Sequence, residues 1–256
     1  MTGDATDGDV DPDDPGPDDV DPDDVPLYDS LDGHVALVTG ANRGIGAEIA
    51  ARLADLGATV YAGARDPASV EPPDQRALEL DVTDRGEARA AVRTVVDETG
   101  RLDVLVNNAG VYGPAGDWAD LDLDDVAETY AVNLEGPGTL ARYALPHLRE
   151  ASADGGHGRV VNVSSGSGQL ATGVSTNRAP YGVSKAALNA LTQALARQSP
   201  ALAVNAVCPG WVRTAMGGER APRSVAEGAA TPVWLARFAP GAPSGLFWRD
   251  RDVLEW

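Results

Sequence analysis

From His34 to Asp66 the chain reads HVALVTGANRGIGAEIAARLADLGATVYAGARD, and this segment constrains the fold more than any other. Val35, Ala36, Leu37 and Val38 are a short apolar run of the kind that forms a strand buried on both faces. Gly40, Asn42, Arg43, Gly44 and Gly46 then open a helix whose apolar positions include Ile45, Ile49, Ala50 and Leu53. Gly57 suits the helix C-terminus, and a second strand is expected over 58–62. Strand, glycine turn, helix and strand make a βαβ unit whose first turn can bring bare backbone against a phosphate. The glycine spacing is G-x-x-x-G-x-G, and no Lys-Ser/Thr pair follows it, so the turn is not a P-loop.

The same alternation continues. Strands are expected at 76–80, 102–107, 159–163, 202–207 and 244–248, with helices near 84–99, 122–150, 179–198 and 222–238. Asp84 and Glu87 have the spacing of a capping box. This pattern predicts an α/β fold: a single-domain Rossmann fold with a doubly wound parallel sheet flanked by helices. The helix at 179–198 is apolar nearly all round, which predicts burial within the domain or against another subunit.

The first 32 residues differ in kind. They hold thirteen aspartates, no basic residue and a near-repeat of Asp, Pro and Val, the composition of a disordered acidic tail, and the domain is expected over 33–256. Subtracting the tail's thirteen charges from the chain's −19 leaves −6 for the remainder. Such a balance would repel a phosphate backbone, so no nucleic-acid partner is expected. The acidity and the scarcity of lysine suggest a protein of high-salt cytoplasm; an acidic linker without that role is the alternative. No run of eighteen apolar residues and no basic-then-apolar leader occurs, so no membrane association is expected and the cytoplasm is the expected location. The lone cysteine, Cys208, excludes an internal disulfide and reads as a small buried hydrophobe.

Twenty side chains are basic and only one is lysine: Lys185, four residues after Tyr181 in AYGVSKAALN. Arginine and lysine are not interchangeable where a compact point charge must sit beside a reacting group. Positions four apart share a helix face, so the ammonium is expected to lie near the phenol and to lower its pKa from about 10. That would make Tyr181 a usable acid and base near neutral pH.

TGANRGIG at 39–46, Asp81 in LDVTD, NNAG at 107–110, Asn133 in AVNLEG, VNVSSGSG at 161–168, YGVSK at 181–185 and NAVCPGWVRT at 205–214 together resemble the short-chain dehydrogenase/reductases. The resemblance spans about residues 33–252 and is greatest to their carbonyl-reductase-like branch. It implies an oxidoreductase in which Tyr181 donates the proton, Ser165 hydrogen-bonds the carbonyl oxygen, Lys185 serves the tyrosine and the cofactor ribose, and Asn133 holds a water linking lysine to solvent. Ser164 is the alternative to Ser165. The cofactor is expected to meet Gly40, Asn42, Arg43, Gly44, Ile45, Gly46, Asp81, Val82, Asn107, Ala109, Gly110, Tyr181, Lys185, Pro209, Gly210, Val212 and Thr214. Arg65, at the end of the second strand, favours NADP (NADPH) by pairing with its 2′-phosphate, whereas the adjacent Asp66 would favour NAD. No metal is expected. After Pro209 the resemblance implies a mobile, partly apolar lid. The expected partner is a small-molecule carbonyl substrate: a ketone, aldehyde or quinone. The family often pairs helices at 179–198, so a homodimer or homotetramer is a further expectation. Alcohol oxidation, or a non-catalytic nucleotide-sensing role, stand as alternatives, although sensors of this type typically lose the tyrosine or lysine kept here.

Overall fold

The structure, a computed structural model, describes residues 20–71, 75–153 and 156–256. Eight strands form one sheet: β1 (Val35–Thr39), β2 (Thr59–Ala64), β3 (Gln75–Glu79), β4 (Val104–Asn107), β5 (Arg159–Val163), β6 (Ala203–Val207), β7 (Phe247–Arg249) and β8 (Asp252–Leu254). Their order is β3-β2-β1-β4-β5-β6-β7-β8, so the chain reverses direction across the sheet between β1 and β4. Strands β1 to β7 are parallel, giving the expected doubly wound parallel sheet, and at one edge β8 returns antiparallel to β7. The connecting turn places Asp250 and Arg251 at φ of 55° and 70°. A two-residue hairpin of this type ordinarily announces itself with Asn or Gly, and this one does not.

The helices are α1 (Gly44–Asp55), α2 (Arg85–Thr99), α3 (Leu123–Tyr130), α4 (Gly136–Ala153), α5 (Ala179–Gln198) and α6 (Val225–Ala236). Strand alternation divides the core between two faces. Ala36 and Val38 of β1 join Ile49, Leu53, Trp234, Phe238 and Trp248 on the side of α1 and α6. Val35 and Leu37 join Leu105, Leu140 and Leu148 on the opposite side, with α2 and α4. The helix expected over 122–150 is two helices joined by a π-turn at Ala131–Glu135, and that widened turn holds Asn133. Such single-turn π segments are frequent at functional sites.

Two further expectations are corrected. Asp84 caps α2, accepting from the Gly86 and Glu87 amides at 2.7 and 3.0 Å, but the Glu87 carboxylate accepts from the Asp81 amide at 2.6 Å, so no capping box closes there. A complete box forms instead between Ser224 and Glu227 at the start of α6. Helix α5 is not buried all round: Tyr181, Ser184, Lys185, Leu188 and Leu195 are buried, while Val183, Ala190 and Ala194 are exposed.

The expected tail boundary also moves. Residues 1–19 lie outside the described residues, but 20–32 pack on the domain. Val25 and Leu31 are buried, Leu27 bridges to Phe238, and Tyr28 exchanges hydrogen bonds with Arg237. This strap crosses the N-terminal ends of the strands. There Tyr28 lies 5.2 Å from the guanidinium of fully buried Arg159, which donates to the carbonyl oxygens of His157 and Ala236. An apolar trio inside an acidic segment is enough to dock it, and average composition conceals that.

Candidate active site

At the opposite, C-terminal ends of the strands a cleft of about 1170 Å³ runs across the point where strand direction reverses, the usual ligand position in open α/β sheets. Its floor begins with the β1–α1 turn. Gly40 adopts φ +62°, and a Cβ there would approach the Ala109 backbone to 3.0 Å. At Gly46 a Cβ would come within 2.3 Å of both the Asn108 amide nitrogen and the Gly40 carbonyl oxygen. Asn108 fixes the turn by donating to the Thr39 and Gly40 carbonyl oxygens at 2.9 and 3.1 Å, while the Thr39 hydroxyl accepts from the Asn108 and Ala109 amides, both at 3.0 Å.

The start of α1 differs from the starts of α2, α3 and α6, which Asp84, Asp122 and Ser224 cap through their side chains. Helix α1 has no side-chain cap and no acidic residue in its first turn. Its first amides, with the positive end of the helix dipole, face the cleft beside Asn42 and exposed Arg43. This arrangement fits the pyrophosphate of a dinucleotide. Asn42 also donates to Ser69 at 3.1 Å, linking the turn to the segment after β2.

At the end of β2, Arg65 is exposed and has no carboxylate in ion-pair range among the described residues. The Asp66 carboxylate is committed to the turn that follows, accepting from the Ala68 amide at 3.0 Å. Asp81 accepts from the Thr83 amide and hydroxyl at 2.9 and 2.7 Å, and the amide bond, more than Arg65, holds its pKa below the usual carboxylate value. Val82 lines the cleft beside it and packs on Gly136.

The reacting end forms where β5, α5 and the loop after β6 converge. Ser165 begins the short turn after β5, where its hydroxyl accepts from the Ser167 amide at 3.1 Å and lies near enough to the Tyr181 phenol to lower its pKa. Ser164 is fully occupied elsewhere, donating to Asn189 at 2.6 Å, which leaves Ser165 as the hydroxyl facing Tyr181. Lys185 is buried and lies 5.8 Å from the Tyr181 ring, as four-residue helical spacing requires. Its ammonium donates to the Val163 carbonyl oxygen at 2.8 Å. The expected lowering of the phenol pKa by lysine is therefore corrected. Burial pushes Tyr181 up to about 12, with Ser165 opposing, and burial pushes Lys185 down to about 8.

Asn133 is wholly buried and its amide is saturated: it accepts from the Val111 amide at 2.9 Å and donates to the Val111 carbonyl oxygen and the Ser184 hydroxyl at 2.9 and 3.0 Å. It braces the π-turn against α5 and the loop after β4, rather than presenting itself to the cleft. Its oxygen and the Lys185 ammonium flank Gly110, where an added Cβ would meet them at 3.2 and 3.7 Å. Asn107 is not in the cleft. It ends β4 inside the sheet and donates to Asn162 at 2.8 Å, while its neighbour Asn108 lines the cleft. Ala109, Gly110, Pro209, Gly210, Val212, Thr214 and Ile45 all line it. The expected lid is tied together: Trp211 donates to the Gly217 carbonyl oxygen at 2.8 Å, and Arg213 to that of Arg223 at 2.9 Å. Thr214 reaches across to Gly44, within 3.3 Å of where its Cβ would stand.

Sequence reasoning missed Tyr112, Arg178 and Arg249. Tyr112 meets the Tyr181 ring edge-on at 4.8 Å, and the Arg178 guanidinium lies over Tyr112 at 4.8 Å. Arg249 donates to the Cys208 sulfur at 2.9 Å, so this buried cysteine is an acceptor as well as an apolar filler. Only the aromatic Tyr112, just past NNAG, carried a usable signal in the sequence.

A doubly wound sheet, an uncapped glycine turn and a Ser-Tyr-Lys cluster at the same strand ends define a dinucleotide-dependent oxidoreductase. Residues 34–224 match the short chain dehydrogenase family, and the chain belongs to it, as an enzyme of its carbonyl-reductase-like branch. It is 32% identical to (+)-neomenthol dehydrogenase of Arabidopsis thaliana, over 86% of this chain and 97% of that one. It is also 32% identical to carbonyl reductase [NADPH] 1 of Sus scrofa, over 89% and 96%. Among solved structures, NADPH-bound carbonyl reductase from chicken fatty liver superposes with a TM-score of 0.78 at 30% identity, covering 88% of this chain and all of that one. Among the described residues no cluster of side chains could hold a metal ion, and no helix is long and apolar enough to cross a membrane.

Proposed function

We propose that this enzyme reduces the carbonyl group of a small ketone, aldehyde or quinone with NADPH, with Tyr181 as proton donor. The observation that carries the reading is the convergence of Ser165 and a buried Tyr181 on the cleft, with Lys185 one helical turn behind. Bound at the glycine turn, the reduced nicotinamide would supply the hydride to the carbonyl carbon. The Ser165 hydroxyl and the Tyr181 phenol form the donor pair for the carbonyl oxygen as negative charge develops there. A phenol held at about 12 keeps its proton at neutral pH and yields it only to a stronger base such as an alkoxide. The Lys185 ammonium steadies the phenolate left by the transfer and is placed to hydrogen-bond a ribose. Asn133 acts as a positioning residue, holding Gly110 and Ser184 around that ammonium.

NADPH over NADH rests on Arg65, exposed and without an ion pair among the described residues, beside an Asp66 whose carboxylate is engaged. The exposed apolar residues Val183, Ala190 and Ala194 of α5 suit a homodimer, checked by light scattering of the purified chain. The acidic balance suits a cytoplasm of high salt. The deciding experiment is a panel of carbonyl compounds at high and low salt, followed by NADPH and NADH absorbance. Reduction that depends on NADPH and on Tyr181 is expected. Failure of every carbonyl, with turnover of alcohols instead, would reverse the assigned direction.

A further inference from the structure

Beside the main cleft, a second cavity of about 220 Å³ is lined by Tyr181, Tyr112, Trp211 and Arg178, among others. Arg178 precedes α5 and is only partly exposed. One of its N–H groups donates to the Gly113 carbonyl oxygen at 2.5 Å, and its face rests on Tyr112. Its remaining donors meet no acceptor and its charge no carboxylate among the described residues. A planar guanidinium fork held by a ring and a backbone carbonyl is pre-organised for a carboxylate.

The surrounding charge agrees. The chain has 39 acidic and 20 basic side chains, but seven cations and three carboxylates line the two cavities. Of the arginines on the side away from the glycine turn, Arg223 is paired with Asp250, Arg249 donates to Cys208, and Arg213 is exposed. Among these described arginines, Arg178 keeps donors without an acceptor and is joined to the reacting tyrosine through Tyr112.

We infer that Arg178 binds a carboxylate on the substrate, making this an enzyme for oxo acids whose carboxylate lies several bonds from the reacting carbonyl. The inference rests on the carbonyl-reductase reading above. A carbonyl at Tyr181 places the rest of the molecule across the Tyr112 ring, with an apolar spacer on Tyr112 and Trp211 and the anion at Arg178. Position along the spacer, rather than charge alone, then selects the substrate.

The test is kcat/KM with NADPH for a homologous series of benzoyl alkanoates, from benzoylpropionate to benzoylpentanoate, each against its methyl ester. Parent, Arg178→Gln and Arg178→Lys enzymes are compared, with benzaldehyde as a neutral control. At least one acid is expected to exceed its ester by about tenfold, the scale of one charge-assisted pair, and to lose that advantage as salt is raised. Arg178→Gln is expected to erase the acid-to-ester ratio, chiefly through KM of the acid, and Arg178→Lys to keep part of it. Equal use of acid and ester by the parent, or an equal fall of both in Arg178→Gln, would overturn the assignment and reduce Arg178 to a clamp on Tyr112. Reduction of benzaldehyde without any acid preference would do so while leaving the reductase reading intact; no NADPH consumption with any carbonyl would overturn both.

Discussion

The two ends of the sheet each bury a cation, and they bury it for different ends. At the C-terminal end Lys185 is 4% exposed and opens onto a cleft; at the N-terminal end Arg159 is fully buried beneath the strap of residues 20–32. Burial lowers both, Lys185 to about 8 and Arg159 to about 10. What separates them is their company. Lys185 shares its surroundings with a hydroxyl, a phenol and an uncapped helix start, all turned toward one space. Arg159 is enclosed by the carbonyl oxygens of His157 and Ala236 and the face of Tyr28, and it lines neither the main cleft nor the cavity beside it. A perturbed ionisable group is thus a guide to chemistry only where other reactive groups converge on it.

The contrast can be broken by exchanging what each cation does. Lys185→Arg keeps the charge but not its compact shape, so turnover is expected to fall about 100-fold or more in steady-state assays, the scale of a disrupted acid–base arrangement. Arg159→Met removes two charge-assisted bonds to buried carbonyl oxygens and is expected to cost about 2–3 kcal/mol in denaturant unfolding, with kcat retained. Loss of kcat in the second variant at full occupancy of the folded state would erase the distinction. Between the two ends, Arg65→Asp is expected to lower kcat/KM for NADPH about tenfold, the scale of one charge-assisted pair, and to raise relative use of NADH; unchanged NADPH kinetics would remove the basis for the cofactor assignment.

Acid distinguishes the ends more gently. Burial, aided by Arg159, pushes His157 down to about 4, and His34 is lowered for the same reasons. Between their ordinary values near 6.5 and about 4 the unfolded chain binds more protons than the folded one, so stability is full above that window and declines as pH falls through it. Denaturant midpoints across this range should decline less steeply in His157→Leu. The smallest effect is expected from removing residues 1–19, whereas removing 1–30 also deletes Val25, Leu27 and Tyr28 and should lower the unfolding midpoint measurably.

Much of the upper end was legible because its constraints are local. A glycine that must admit a neighbouring backbone, and a tyrosine and lysine four residues apart, show themselves in a short stretch of sequence. The Ser164 and Ser165 choice could be narrowed by family pattern, but only the side-chain partners separated them. Asn107 was misplaced because adjacent residues at a strand end point in opposite directions, and the register decides which asparagine enters the cleft. The strap, the π-turn and the β7–β8 hairpin were missed for a common reason: each depends on tertiary contacts or on strained backbone without its usual residue. Arg178 lies in a segment without periodicity, where nothing local reveals that its guanidinium meets Tyr112, 66 residues earlier in the chain.

The most direct test of the account is Tyr181→Phe, measured for NADPH affinity by fluorescence titration and for carbonyl reduction in a single turnover. The variant keeps the ring against Tyr112 and removes only the hydroxyl that Ser165 meets. The account predicts near-parental NADPH binding with reduction slowed about 100-fold or more. Reduction at the parental rate with NADPH bound would contradict it, and would show that the proton comes from a group other than Tyr181.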